Sequence, residues 1–327
     1  MRILDADIGA LGMGCWPIGG PMFGPHGTLG YANAEDAESV RTIHAAIDGG
    51  IRLFDTAAVY GAGHAERLLG YALQGRADVI VVSKIGIAID ELTKRLLHDE
   101  TDPRSVMPAI DRCLERLGRD RIDILLLHLN DLPVREAEPI FEQMERAMES
   151  GKIRAYGWST DLSRSAAAVA QRHGFVAVEH AMNILLEARA MQQTVRELGL
   201  HALIRSPLGM GLLTGKYGMQ STMAPDDIRA TASTVTPYFR DGRPNAHFLR
   251  QFDAVRDLLQ TGGRSLAQGA ICWLWGKSDR NIPIPGARTV GQMEDIAGAL
   301  AFGPLPLAVM EAIDARLDRA DEDERPR

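Results

Sequence analysis

Short apolar segments recur along the whole chain, and this recurrence constrains the fold more than any other feature. Each segment is followed by a polar or glycine-containing turn and then by a helical pattern, which indicates repeated βα units rather than an all-β fold. We count eight such segments, at residues 8–14, 51–55, 79–84, 123–128, 155–159, 176–180, 202–206 and 281–285. Runs such as DILLLH (123–128) are typical of parallel strands that are buried on both faces.

Helix signals lie between these segments. Asp102 followed by Pro103 predicts a helix start, and apolar residues then continue at helical spacing until Gly118. The segments SLAQ (265–268) and TVGQ (289–292) have the spacing of a capping box, which marks two further helix starts. Helices that alternate with parallel strands are therefore expected throughout the chain.

Eight βα units fit a closed (β/α)₈ barrel, the TIM-barrel form of the α/β class, better than an open sheet. An open, doubly wound sheet is the alternative fold. No linker rich in Pro, Gly and Ser divides the chain, so residues 1–327 are expected to form a single domain. The connection at 209–264, between the seventh and eighth strands, has the length of a lid or binding element. The charged end, from about 318 to 327, is expected to be a disordered tail.

Composition excludes several classes of protein. The chain is 46% hydrophobic, yet it has no apolar run near the roughly 20 residues that a membrane-spanning helix needs. Its N-terminus lacks the basic and apolar segments of a secretory signal, so a cytoplasmic protein is expected. The net charge of −7 argues against a nucleic-acid surface. The three cysteines are far apart and lack histidines at ligand spacing, so no disulfide or metal site is expected.

Polar residues stand at the ends of the predicted strands, where a barrel of this kind places its chemistry. They are Asp55, Lys84, His128, Ser159 with Thr160, Glu179, and Arg205 with Ser206, followed by PGAR (285–288) after the eighth strand. A lone His or Lys at such a position is more often structural. Asp55, Lys84 and His128 on three consecutive strands, however, would meet in one cavity, where buried charge must be paired or used. Tyr60 follows shortly after Asp55 and completes a plausible set for proton transfer.

Other catalytic patterns fit less well. The segment GAGHAE (61–66) resembles part of a dinucleotide fingerprint, but Glu66 occupies the third glycine position and the acid precedes the loop. The Tyr and Lys four residues apart that mark short-chain dehydrogenases do not occur, nor does a GxSxG segment for acyl transfer.

Seven segments in order resemble the aldo-keto reductase family over nearly the whole chain. They are RLFDTAAVYGAG, VVSKIG, DILLLHLND, GWST, SPLGMGLLTGKYG, SLAQGAICWLWG and IPIPGARTVGQ. The resemblance implies the barrel already counted and a reversible hydride transfer between a nicotinamide and a carbonyl carbon. It implies that Tyr60 donates the proton, that Lys84 lowers the phenol pKa and that Asp55 holds Lys84. His128 would bond the carbonyl oxygen or relay the proton, with no metal.

The resemblance also implies an NADPH site. Ser159 and Thr160 would lie at the carboxamide, and the segment 206–216, with Lys216 as a cation, would cross the pyrophosphate. Arg288, at the start of the helix after PGAR, would face the 2′-phosphate and favour NADPH over NADH. The implied cofactor residues are Cys15, Trp16, Asp55, Ser159, Thr160, Glu179, Arg205, Ser206, Pro207, Leu208, Gly209, Gly211, Leu212, Lys216, Gly286, Ala287, Arg288 and Gln292. Trp16, Tyr60 and His128 would form the pocket for a small carbonyl substrate.

Three positions depart from the family pattern. Glu179 stands where Gln is usual, and Arg205 stands where an aromatic residue often stacks under the nicotinamide. We hypothesise that these two side chains form an ion pair beneath the ring, because either charge alone in a dry site would be penalised. Ile296 replaces an asparagine near the adenine, so one adenine contact would be lost.

Two functions follow from this reading. The first is NADPH-dependent reduction of the carbonyl of an aldehyde, ketone or sugar. The second is a nucleotide-binding regulatory subunit with the same barrel and little turnover. The presence of Asp55, Tyr60, Lys84 and His128 together favours the enzyme. The residues alone do not name the substrate, the preferred direction or the oligomeric state.

Overall fold

Eight parallel strands form one sheet whose spatial order is the order of the chain. The structure, a computed structural model, describes residues 1–25, 27–231 and 237–319. The strands are β1 (Gly12–Gly14), β2 (Leu53–Asp55), β3 (Ile80–Ile85), β4 (Ile122–Leu127), β5 (Ile153–Ser159), β6 (Phe175–Ala181), β7 (His201–Arg205) and β8 (Asn281–Pro283). A parallel bridge between Gly14 and Gly286 brings the two edges together, with the Gly14 N–H donating to Pro285 O at 3.0 Å. The (β/α)₈ barrel is confirmed, and the open sheet is wrong.

Helices surround the barrel. They are α1 (Asp36–Asp48), α2 (His64–Ala72), α3 (Val106–Leu117), α4 (Val134–Glu149), α5 (Ser163–Val169), α6 (Arg189–Leu198), α7 (Ala246–Asp253), α8 (Arg256–Leu259), α9 (Leu266–Lys277), α10 (Val290–Ala297) and α11 (Leu307–Arg316). One apolar layer fills the space between the strands and these helices, and a second layer fills the barrel interior. Within the described residues, every helix is too short or too polar to cross a membrane.

The predicted helix starts agree with the structure in most details. The Asp102 carboxylate accepts the N–H of Arg104 ahead of α3, and α3 ends at Gly118, whose φ of +60° suits a residue without a side chain. Ser265 and Gln268 form both bonds of a capping box at α9. At α10 only half of the box forms, because the side chain of Gln292 accepts the N–H of Arg288 instead.

The first predicted strand is too long. Gly9 and Ala10 have φ values of +66° and +61°, so the chain turns there and the strand begins only at Gly12. The residues before the turn form a short hairpin, Arg2–Ile3 paired with Ala6–Asp7. Ile3 and Ile8 are buried against inward-facing residues of the barrel strands and extend the interior core.

Two additions cover the carboxyl ends of the strands. A small sheet joins Phe23–Gly24 and Gly27–Thr28, from the loop after β1, to the hairpin Ile87–Asp90 and Arg95–Asp99 after β3. The long connection after β7 contains the helical turns Gly209–Thr214 and Ile228–Ala230, the hairpin Phe239–Arg240 with Arg243–Pro244, and α7 and α8. Both additions contribute walls to the cavity described below.

The predicted tail begins with two residues that make defined contacts. Gln251 donates to the backbone carbonyl of Asp318, and Arg319 donates to the carbonyl of Ile184 and pairs with Asp314. The remainder of the predicted tail, 320–327, lies outside the described residues.

Candidate active site

A cavity of about 680 Å³ opens at the carboxyl ends of the barrel strands. The strand ends place polar side chains in its wall as the sequence predicts, because parallel strands present their carboxyl ends to the same rim. Asp55 comes from β2, Ser159 from β5, Glu179 from β6 and Arg205 from β7, while Tyr60 and His128 lie in the loops just after β2 and β4.

Lys84, on β3, is fully buried directly behind this wall. Its ammonium donates to Asp55 Oδ1 at 2.6 Å, to the carbonyl of Thr56 at 3.0 Å and to Tyr60 Oη at 3.3 Å. These three bonds use all three N–H groups of the ammonium. Lys84 therefore joins Asp55 to the phenol of Tyr60, as the sequence predicts.

Burial controls the phenol of Tyr60. It raises the pKa of Tyr60 above the usual value, and the charges of Asp55 and Glu179 act in the same direction. Lys84 lowers the pKa, which is the predicted sign, but burial outweighs it. For Lys84 itself, burial acts to lower the pKa, whereas Asp55 and Glu179 raise it and prevail. The resting site thus holds a protonated phenol beside an ammonium.

His128 lies edge-on to the Tyr60 ring, with centroids 6.2 Å apart. Burial, followed by the charges of Lys84 and Arg205, lowers its pKa to about 3. The imidazole is therefore neutral near neutral pH. Its Nδ1 has no hydrogen-bond partner among the described residues, although the ring lines the cavity.

Glu179 and Arg205 were expected to pair with each other, but each forms an ion pair with another residue. A carboxylate oxygen of Glu179 lies 3.2 Å from Lys84 Nζ, and the Arg205 guanidinium pairs with Asp161. The register of β6 and β7 explains this, because Glu179 lies beside Leu203 while Arg205 lies beside Ala181, further towards the rim. Asp161 also accepts the N–H of Ala181 and so is held at that outer level.

The segment after β7 forms one wall of the cavity. Five of the residues predicted there to bind the cofactor line it, namely Ser206, Pro207, Leu208, Gly211 and Lys216. Two predicted members of this segment lie elsewhere, since Gly209 packs against the ring of Tyr238 and Leu212 is fully buried.

The start of α10 forms another part of the wall. Gly286, Arg288 and Gln292 line the cavity, and Arg288 also donates to the carbonyl of Ala32 at 2.9 Å. The N–H groups expected to be free here are partly engaged, because Val290 donates to the Glu38 carboxylate at 3.0 Å and Gln292 donates to Thr289.

Four further predicted cofactor residues divide between wall and core. Trp16 lines the cavity and its ring lies parallel to that of Tyr60. Cys15 is fully buried with its thiol against the carbonyl of Met13, Thr160 donates to the carbonyl of Asn130, and Ala287 is buried. These three residues do not line the cavity.

Arg229, from the long connection, is a cavity residue that the sequence did not reveal. It forms a two-point ion pair with Asp227, and its Nη1 donates to Tyr217 Oη and to the carbonyl of Met210. The guanidinium also lies over the ring of Tyr31. Burial raises the pKa of Tyr31 to about 12, so this phenol is neutral. The only signal for Arg229 in the sequence was its positive charge within a segment predicted to be a lid or binding element.

The donors and acceptors of the cavity fit a dinucleotide. Glu179 and His128 present buried atoms without a protein hydrogen-bond partner in the described part of the chain, which suits an amide and a carbonyl group. Lys216 and Arg288 supply positive charge for phosphates in the same cavity. Over residues 1–25, 27–231 and 237–319, no cluster of three or more metal-ligating side chains occurs.

The chain is similar to known proteins over nearly its whole length. The model of the Aldo/keto reductase family matches residues 10–318. Aldo-keto reductase YhdN of Bacillus subtilis (strain 168) is 31% identical over 307 residues, which cover 90% of this chain and 86% of that protein. Aldo-keto reductase yakc [NADP(+)] of Schizosaccharomyces pombe is 28% identical over 335 residues, covering 98% and 92%.

Solved structures show the same barrel. Glycerol dehydrogenase AKR11B4 from Gluconobacter oxydans superposes with a TM-score of 0.81 and 27% identity, covering 97% of this chain and 94% of that one. An aldo/keto reductase from Klebsiella pneumoniae in complex with NADP and acetate gives a TM-score of 0.69 at 22% identity, with the same coverage, a likeness that concerns the fold alone.

Proposed function

The chain belongs to the aldo/keto reductase family, and from that membership we propose that it is an NADPH-dependent oxidoreductase that reduces a carbonyl group to an alcohol. The observation that carries the proposal is the contact of Lys84 with both Asp55 and Tyr60 beside His128. These groups meet at the wall of one cavity whose other walls carry cations for phosphates. Aldehydes, ketones and sugars are the proposed substrates.

NADPH, when bound, supplies the hydride. Tyr60 donates a proton to the oxygen that becomes the alcohol, and the ammonium of Lys84 stabilises the phenolate that remains. Asp55 holds the ammonium in place. Neutral His128 orients the carbonyl oxygen by donating a hydrogen bond, which a ring with a pKa of about 3 does without adding charge.

The surroundings of Tyr60 keep water away from this step. Its ring lies 6.0 Å from that of Trp16, with 16° between the planes, and Tyr31 packs edge-on against Trp16. Only 8% of Tyr60 is exposed. Electrostatic effects are stronger in such a dry site, so the ammonium acts on the phenol with little screening.

The preference for NADPH is proposed from Lys216 and Arg288, because cations at the cavity wall suit an additional phosphate. The name of the relative from Schizosaccharomyces pombe includes NADP(+), which supports the same choice. A cytoplasmic location and the lack of nucleic-acid or membrane partners remain predictions from the sequence.

The test is NADPH oxidation by the purified protein against a panel of aldehydes, ketones and sugars, with cofactor binding measured separately by fluorescence titration. Turnover of at least one class, with NADPH bound more tightly than NADH, is expected. Tight NADPH binding without turnover of any carbonyl would favour the regulatory subunit instead. Failure to bind either nucleotide would contradict both functions.

A further inference from the structure

The carboxylate of Glu179 lies in an unusual electrostatic position. Only 1% of the residue is exposed, and its Oε2 lies 3.2 Å from the Lys84 ammonium. The three N–H groups of that ammonium already serve Asp55, Thr56 and Tyr60. Glu179 Oε2 therefore receives attraction from the charge but no hydrogen bond from any described residue.

The charges around Lys84 do not balance if both carboxyl groups are ionised. Asp55 and Glu179 would bring two negative charges to one ammonium, and all three side chains are buried. A buried, uncompensated charge is costly, whereas one bound proton would neutralise the group. Two carboxyl groups that share a site commonly resolve the conflict in this way.

The neighbouring groups do not supply the missing charge. Among the described residues, the other titratable groups that interact with Asp55, Lys84 or Glu179 are Cys15 from the β1 end and Tyr60 and His128 from the rim loops. Arg205, from β7, acts on His128. Burial raises the pKa of the Cys15 thiol and lowers that of His128, so both are neutral. Arg205 is paired with Asp161, which takes up its charge.

We propose that Asp55 and Glu179 share one proton, and that loss of this proton at alkaline pH holds the phenol of Tyr60 in its protonated form. Glu179 is thus a positioning residue that acts on Tyr60 through charge. The sharing of the proton concerns the protein without its cofactor, and only the effect on Tyr60 during turnover rests on the proposed function.

The electrostatics of the site support both the shared proton and its effect on Tyr60. Burial and then the charge of Glu179 raise the pKa of Asp55 well above its usual range, against the attraction of Lys84. When the pair loses its proton, a second negative charge appears beside the phenol. Negative charge from either carboxylate raises the pKa of Tyr60, so the phenol keeps its proton to higher pH.

The first test is an infrared pH titration of the cofactor-free protein. A carbonyl stretch from a buried protonated carboxyl group is expected near neutral pH in the wild type and should disappear as the pH rises. Glu179→Gln should lack it. Glu145→Gln is the matched control, because Glu145 is half-buried outside the cavity and fully bonded to Arg172 and Tyr156. If the wild type lacks this band near neutral pH, the proposal is wrong whatever the variants show.

The second test is the pH profile of carbonyl reduction. The alkaline decline of kcat/KM should move to lower pH in Glu179→Gln, because the second negative charge can no longer form, while Glu145→Gln keeps the wild-type profile. An unmoved decline in Glu179→Gln overturns the link to Tyr60. A wild type that turns over no carbonyl contradicts the proposed function, and the infrared result then still decides whether the proton is shared.

Discussion

The ammonium of Lys84 donates to the carboxylate of Asp55 at 2.6 Å, and both side chains are buried. Removing one partner of a buried ion pair leaves a charge that water cannot reach. Lys84→Met is expected to lower the free energy of unfolding by about 3–5 kcal/mol at neutral pH. Urea unfolding measures this, and Lys84→Met combined with Asp55→Asn should recover part of the loss. Independent, additive effects of the two changes would contradict the pairing.

The stability loss in Lys84→Met should depend on pH. Burial and the charge of Glu179 already hold the pKa of Asp55 well above its unfolded value, and loss of the ammonium removes the attraction that opposes them. Groups with raised folded pKa values stabilise the protein below the unfolded pKa of about 4, and this stabilisation is lost as the pH rises. The difference from the wild type should thus be smaller near about pH 5 than near about pH 8. An equal difference at both values would show that Lys84 contributes packing alone.

The phenol of Tyr60 is the proposed proton donor. Tyr60→Phe keeps the ring stacked on Trp16 but removes the hydroxyl, so kcat should fall by about 10²-fold or more while NADPH binding is retained. Steady-state kinetics and a fluorescence titration of the cofactor measure the two effects. Tyr71→Phe is the control, because Tyr71 lies on α2 and is 69% exposed. Unchanged turnover in Tyr60→Phe would remove the role assigned to this residue.

His128 provides a prediction about acid pH. Its folded pKa of about 3 lies below the ordinary 6.5, so the unfolded chain binds the proton first. The stability that neutral His128 contributes is present above about pH 6.5 and is lost as the pH falls towards about 3. His128→Gln should therefore lose less stability than the wild type over this interval, as measured by Tm. His173→Gln, which changes an exposed histidine, should follow the wild type.

The sequence predicts the barrel and most of its rim because both depend on local patterns. Apolar runs mark the strands, and parallel strands in chain order bring Asp55, Lys84 and His128 to one end. The partners of Glu179 and Arg205 depend on strand register, which places them at different depths beside Leu203 and Ala181. A pattern of strand ends does not contain that information.

The position of Arg229 could not be predicted for another reason. Its place in the cavity depends on the path of the long connection after β7, and it packs over Tyr31, which is remote in the sequence. Neither strand order nor helical spacing determines such a path. Tyr217, from the same connection, also lines the cavity, and its hydroxyl accepts a hydrogen bond from the Arg229 guanidinium at 2.6 Å.

Arg288 is the residue proposed to distinguish NADPH from NADH. A hydrogen bond to a charged group contributes about 1.5–3 kcal/mol, so Arg288→Ala should weaken NADPH binding by about 10-fold to 100-fold and leave NADH binding nearly unchanged. Calorimetric titration with each nucleotide measures this. Arg280→Ala is the matched control, because Arg280 also donates to backbone carbonyls but lies outside the cavity wall. Equal losses of affinity for NADPH and NADH would mean that Arg288 supports the loop through its bond to Ala32 and does not bind the 2′-phosphate.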